Sequence, residues 1–104
     1  MKLITKSIRA KLEKNRIAKN DEDAVLKLFT PDAGCTWLIT QIDEDGDTMW
    51  GLCDLGLGCM EYGTVSLSEI QTVRGRLRLP VERDRSFKHA KISEMTKRET
   101  LAGC

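Results

Sequence analysis

Thr36-Trp-Leu-Ile-Thr-Gln-Ile42, Asp43-Glu-Asp-Gly-Asp47 and Thr48-Met-Trp-Gly-Leu-Cys-Asp-Leu55 form the continuous stretch from which the fold follows. Two runs rich in β-branched and aromatic residues flank a polar segment containing Asp45-Gly46, which is the sequence form of a β-hairpin. Closure about Asp45 sets Ile42 opposite Thr48, Thr40 opposite Trp50 and Leu38 opposite Leu52, and puts Trp37, Ile39, Met49 and Cys53 together on the other face. Both faces are then apolar, whereas a sheet wetted on one side alternates apolar with polar. The hairpin is therefore expected to be covered twice, or covered once and used once for binding.

A chain of 104 residues suits one domain able to fold without staples. No window approaches the ~20 apolar residues of a membrane helix. Met1-Lys2-Leu3-Ile4-Thr5-Lys6 has a positive start without the apolar core and cleavage site of a secretory signal, so a soluble cytoplasmic protein with no membrane partner is expected. In that compartment Cys35, Cys53, Cys59 and Cys104 are expected as free thiols: the first two as small buried hydrophobes, Cys59 in a loop, Cys104 on an exposed tail. No Cys-x-x-Cys occurs and the single histidine, His89, stands apart, so neither metal nor cofactor is expected.

Charge runs in blocks. Residues 1–20 carry seven Lys/Arg against Glu13, residues 21–73 carry eleven acids against Lys27, and residues 74–91 carry seven Lys/Arg against Glu82 and Asp84. Such segregation makes either a basic patch for an anionic partner or terminal segments that pack on an acidic middle, and the second reading is preferred.

Around the hairpin, Leu3 to Lys14 reads as an amphipathic helix with Ile4, Ile8 and Leu12 on one stripe and Thr5 as its N-cap. A helix this short must dock its stripe, and the hairpin offers the large apolar surface. Asn15 to Asp23 reads as a loop, Ala24 to Phe29 as a strand, and Thr30-Pro31-Asp32-Ala33-Gly34 as a turn. The acids of residues 43–47 resemble the start of a calcium loop, but Gly46 and Asp54 fall out of that register, which leaves a solvated turn. Leu55 to Met60 is glycine-punctuated without matching a phosphate-binding fingerprint. Glu61 to Val65 reads as a strand, and Ser66-Leu67-Ser68-Glu69 as a capping box opening a helix over Leu67–Thr72. Val73 to Pro80 alternates arginine with apolar or glycine residues, and Val81 to Phe87 reads as a final edge strand opened by Pro80.

The expected architecture is α+β: a single small domain over residues 1–87, its N-terminal helix packed on a mainly antiparallel meander of four to five strands, with a short helix near 67–72 and a weakly ordered polar tail over 88–104.

Met1 to Lys6, Leu28-Phe29-Thr30-Pro31-Asp32 with Thr36-Trp37, Gly63 to Ile70, Val73-Arg74-Gly75 and Leu79 to Asp84 together resemble an uncharacterised bacterial family of short proteins, a domain of unknown function common on plasmids and other mobile elements. The resemblance covers residues 1–94 and implies a bacterial cytoplasmic protein with an accessory role in mobile-element biology. It brings no catalytic residues. The family pattern has aromatic pairs near Thr64-Val65 and after Asp84, where this chain carries smaller or polar residues.

No convergent acid, base or nucleophile set is present, so the chain does not read as an enzyme. Two binding readings follow. The first is a protein-binding module anchored by Trp37, Trp50 and Tyr62, residue types that dominate interfaces, with a second copy or a host factor as partner. The alternative is nucleic-acid binding through Arg74, Arg76, Arg78, Arg83 and Arg85, of which period two would put the first three on one side.

Overall fold

The structure, a computed structural model, describes residues 3–31, 34–54, 60–74 and 77–92. Its elements are α1 (Lys6–Ile17), β1 (Asp23–Ala24), β2 (Leu26–Phe29), β3 (Thr36–Ile42), β4 (Thr48–Asp54), β5 (Met60–Ser66), α2 (Leu67–Ile70), β6 (Glu82–Arg83) and β7 (Ala90–Lys91). Five strands make one antiparallel sheet in the order β5-β4-β3-β2-β6, and β1 pairs with β7 in a small second sheet. This is the α+β arrangement that the sequence implies.

Helix α1 starts where expected, with the Thr5 hydroxyl accepting the Ile8 N–H at 3.1 Å. It runs one turn longer than the apolar stripe because its end is built from backbone. Asn20 N–H reaches the Asn15 carbonyl at 2.8 Å and Lys19 N–H reaches that of Arg16 at 3.1 Å, with Lys19 at φ 55°. That is a Schellman motif with lysine where glycine is usual.

The β3–β4 hairpin keeps the expected faces up to Ile39 but not the whole register, and Ile42, expected on the face of Leu38, lies instead with Trp37, Ile39 and Met49. Leu38 faces Leu52 and Trp37 faces Cys53 as expected, but Gln41 rather than Thr40 faces Trp50, and Met49 rather than Thr48 faces Ile42. Thr40 is the extra residue of a β-bulge. Its buried polar groups are paired: the hydroxyl donates to the Trp50 carbonyl at 3.1 Å, and the carbonyl accepts from Asn15 Nδ2 at 2.9 Å.

Both faces of the hairpin carry cover, the second in part. Leu3, Ile4 and Leu12 close the first over Trp37, Ile39, Ile42 and Met49, joined by Leu26, Leu28, Ile70 and Val81. Ala24 and Ile92, with Phe87 packed against them, close the second over Leu38 and Leu52. The described fold thus continues past Phe87, where a polar tail was expected to begin. Ile92 N–H donates to the Glu22 carbonyl at 2.7 Å and its side chain is buried, so one apolar residue in a polar segment anchors a pairing. Residues 93–104 lie outside the described residues.

Three strand and helix expectations are trimmed. The strand expected over Ala24–Phe29 divides at Val25 into β1 and β2. The edge strand expected over Val81–Phe87 shrinks to β6, because at Asp84 the chain turns, with Phe87 N–H on the Asp84 carbonyl and Ser86 N–H on the Asp84 carboxylate. The helix expected to reach Thr72 ends at Ile70.

Two stability predictions follow from α1. Leu12→Ala, at a fully buried site, is expected to cost about 2–5 kcal/mol in urea unfolding, whereas Ile17→Ala at a site 75% exposed stays within about 0.5 kcal/mol. Lys19→Gly removes a side chain from the left-handed region and should raise stability by about 1 kcal/mol in the same titration.

Candidate functional site

Outside the two cores, β4 and β5 carry large aromatic side chains that stay half in solvent. Trp50 lies opposite Thr64, and Tyr62 opposite Leu52, so the two aromatics sit diagonally on one face of neighbouring strands. Trp50 is 36% and Tyr62 41% exposed. Each is tethered. The Trp50 indole N–H donates to Asp43 Oδ1 at 3.0 Å, and the Tyr62 hydroxyl lies 3.1 Å from the Thr40 hydroxyl. Because the single Thr40 proton goes to the Trp50 carbonyl, Tyr62 is the donor in that pair. Partial burial raises the Tyr62 phenol, the Thr40 hydrogen bond opposes that, and Asp21 adds to it.

Trp37, grouped with these residues by sequence, is 4% exposed and belongs to the first core beneath α1. Before the bulge, odd and even positions of β3 face opposite ways, and Trp37 shares the helix-covered side with Ile39.

The arginines do not form the expected stripe. The chain turns at Leu77 and returns so that Pro80 bridges Arg74, with Arg78 at φ 60°, so a period of two is not maintained. Arg74 is exposed and its guanidinium donates to the Gln71 and Val73 carbonyls at 2.9 and 2.7 Å. Arg83 is half-buried and donates to the Leu3 carbonyl at 3.1 Å. Arg78 and Arg85 are exposed, and Arg76 lies outside the described residues.

The acidic hairpin tip is a structural knot. Asp45 accepts the Asp47 and Thr48 N–H groups and the Thr48 hydroxyl; Asp47 accepts the Ser66 and Ser68 hydroxyls and the Ser68 N–H. These donors hold both carboxyls below the usual range, through the Asp47 N–H first for Asp45 and the Ser66 hydroxyl first for Asp47. Asp47 thereby braces the start of α2, where the Ser66 hydroxyl takes the Glu69 N–H as expected. Gly46, at φ 71°, closes the turn, and its carbonyl accepts from Arg9 at 3.1 Å. Among the described residues no three His, Cys, Asp or Glu side chains gather as a metal set. Cys35 and Cys53 are free thiols packed at the margin of the first core, and burial, with Glu61 nearby, raises the Cys53 thiol. Cys59 and Cys104 lie outside the described residues. On β1, His89 meets Asp23 at 3.0 Å, while the Asn20 amide is the main cause of a lowered Asp23 carboxyl. No helix among the described residues is long and apolar enough to cross a membrane.

A family model described as a protein of unknown function (DUF2958) matches residues 3–103. The chain belongs to that family. No curated protein and no solved structure matches it. The family span takes in α1, both faces of the hairpin and the aromatic pair, so the Trp50–Tyr62 surface is part of the DUF2958 domain itself.

The knot gives a pH prediction. Asp45 and Asp47 titrate lower in the folded chain than in the unfolded one, so the unfolded state takes up protons first. The stability they supply is present above the ordinary carboxylate pKa of about 4 and is lost as pH falls through the folded values. Urea midpoints should therefore fall below about pH 4, and Asp47→Ala should lower the neutral-pH midpoint and flatten that fall.

Proposed function

We propose that the chain is a non-catalytic protein-binding module whose partner, a second copy or a host protein, docks on β4 and β5 around Trp50 and Tyr62. The observation that carries this reading is the pair of half-exposed aromatics, each already held by a hydrogen bond from its polar end. Tryptophan and tyrosine are the residue types that most often anchor interfaces. Holding them in one rotamer before contact lowers the entropy lost on binding. The cytoplasmic setting and the accessory role in a bacterial mobile element belong to the same proposal and rest on the sequence resemblance.

Nucleic-acid binding draws less support. Arg83 is occupied by the Leu3 carbonyl, Arg74 by its own turn, and on α1 Arg9 and Arg16 are engaged with the hairpin tip. A photoreactive benzoylphenylalanine replacing Trp50 is expected to give protein adducts in cells, whereas the same group replacing Lys14 on α1 gives none. Adducts from Lys14 alone would move the interface to the helix. Duplex or single-stranded DNA binding that falls steeply with salt and weakens in Arg74→Ala and Arg78→Ala, with no adducts from Trp50, would replace the protein-binding reading with the nucleic-acid one.

A further inference from the structure

The two edges of the main sheet are built differently. One is β6, two residues long, entered past Pro80 and left through the Asp84 turn. The other is β5, seven residues without proline or lysine and in regular register with β4 throughout. A long edge lacking such blunting devices is a template for another strand.

Ladder alternation tells which backbone groups of β5 point outward. Leu67 N–H donates to the Asp47 carbonyl at 2.9 Å, which makes Met49↔Val65, Gly51↔Gly63 and Cys53↔Glu61 the hydrogen-bonded pairs of β4 and β5. The bond from Asp43 N–H to the Thr48 carbonyl, 2.8 Å, fixes the same phase from the β3 side. The N–H and C=O groups of Met60, Tyr62 and Thr64 and the N–H of Ser66 therefore face away from β4, the Ser66 carbonyl belonging to the cap of α2.

Gly63 stands at the centre of this strand, and among the described residues nothing calls for it. Gly46 has a left-handed backbone, and a Cβ on Gly51 would strike the Leu38 carbonyl. Gly63 is not left-handed, and among the described residues nothing lies within 4 Å of where its Cβ would be. Glycine weakens a strand, and one reason for it to stand there is the close approach of another backbone.

We infer that β5 pairs antiparallel with β5 of a second copy of this chain, about a two-fold axis at Gly63, fusing two sheets into one. In that register Met60 faces Ser66 of the second copy and Tyr62 faces Thr64, and the reverse, so every outward-facing residue is used. A register centred on Tyr62 leaves Ser66 over, and one centred on Thr64 leaves Met60 over. Glu61 falls opposite Val65, so the acid does not meet its own copy, while each Tyr62–Thr64 pair joins an aromatic to a β-branched residue, a favourable cross-strand combination. The Gly63 pair occupies the closest backbone approach, with Cα atoms about 4.5 Å apart. The pairing is isologous and closes on itself, so it stops at a dimer. This inference rests on the reading of β4 and β5 as a protein-binding surface and names its partner.

Sedimentation equilibrium on the full chain is expected to show a reversible dimer. Thr64→Pro deletes an outward N–H without touching the β4 ladder, so it should weaken association by about tenfold or more while leaving the circular dichroism spectrum unchanged. Gly63→Cys should form a disulfide dimer through position 63 under mild oxidation, identified by peptide mass against the wild-type chain as control for the native thiols; this variant decides the matter if Thr64→Pro fails to fold. A wild-type chain that stays monomeric at its highest soluble concentration overturns the inference, as does a dimer that survives Thr64→Pro or lacks the 63–63 disulfide. A monomer that still gives adducts from position 50 to a different protein overturns the dimer alone and keeps the protein-binding reading; a monomer without such adducts overturns both.

Discussion

One extra residue, Thr40, governs how the parts of this fold meet. Inserted into β3, it turns what would be a straight ladder into two registers, Leu38↔Leu52 on one side and Ile42↔Met49 on the other. A bulge exposes backbone groups that the ladder would have paired, and here the Thr40 carbonyl finds its partner on another element. Asn15 of α1 takes the Thr40 carbonyl and, with the same amide nitrogen, the Asp23 carbonyl of β1. The Thr40 hydroxyl meets β4 through the Trp50 carbonyl and β5 through Tyr62. A helix, four strands and the exposed aromatic face are thus tied at one buried threonine, where an unpaired group would cost about 1–3 kcal/mol.

That knot was invisible in the residue pattern, although the hairpin around it was plain. Asp45-Gly46 between two apolar runs announces the turn, and the face shared by Trp37, Ile39, Met49 and Cys53 follows from period two. Neither glycine nor a break in hydrophobicity marks Thr40 as inserted, and the signal for the bulge lies in a helix residue, Asn15, twenty-five positions away. The same holds for the end of α1, where Lys19 occupies a position that glycine would have advertised. Ile92 is hidden by its polar neighbours, and the alternation of arginines does not reveal that the chain doubles back between Arg74 and Pro80. Of the aromatic trio, Trp50 and Tyr62 remain at the surface while Trp37 does not, since residue type alone cannot say which face a helix covers.

Several of the block charges are spent on internal contacts. Arg9 reaches the Gly46 carbonyl, Arg16 lies 3.4 Å from Glu44, and Lys27 lies 3.6 Å from Asp84. Exposed pairs of this kind contribute a few tenths of a kcal/mol each, too little to hold the fold. Their effect is orientational: the basic helix lies along the acidic hairpin, so opposite signs that are far apart in sequence neutralise one another in space. A field strong enough to gather a polyanion needs like charges left together.

The distribution of cover over the sheet then decides where binding can occur. The N-terminal segment and α1 close the first face, and among the described residues the Phe87–Ile92 segment and Ala24 close the second over Leu38 and Leu52. A face meant for water at the remaining positions would carry residues like Thr48 and Thr64, and it does carry both. Beside them stand Trp50 and Tyr62, whose polar ends are already engaged by Asp43 and Thr40. Engaging the hydrogen-bonding ends within the chain leaves ring surface as what a partner meets. The bulge that holds the core together is therefore also what presents the surface, because the Thr40 hydroxyl that fastens Tyr62 is the one that fastens β3 to β4.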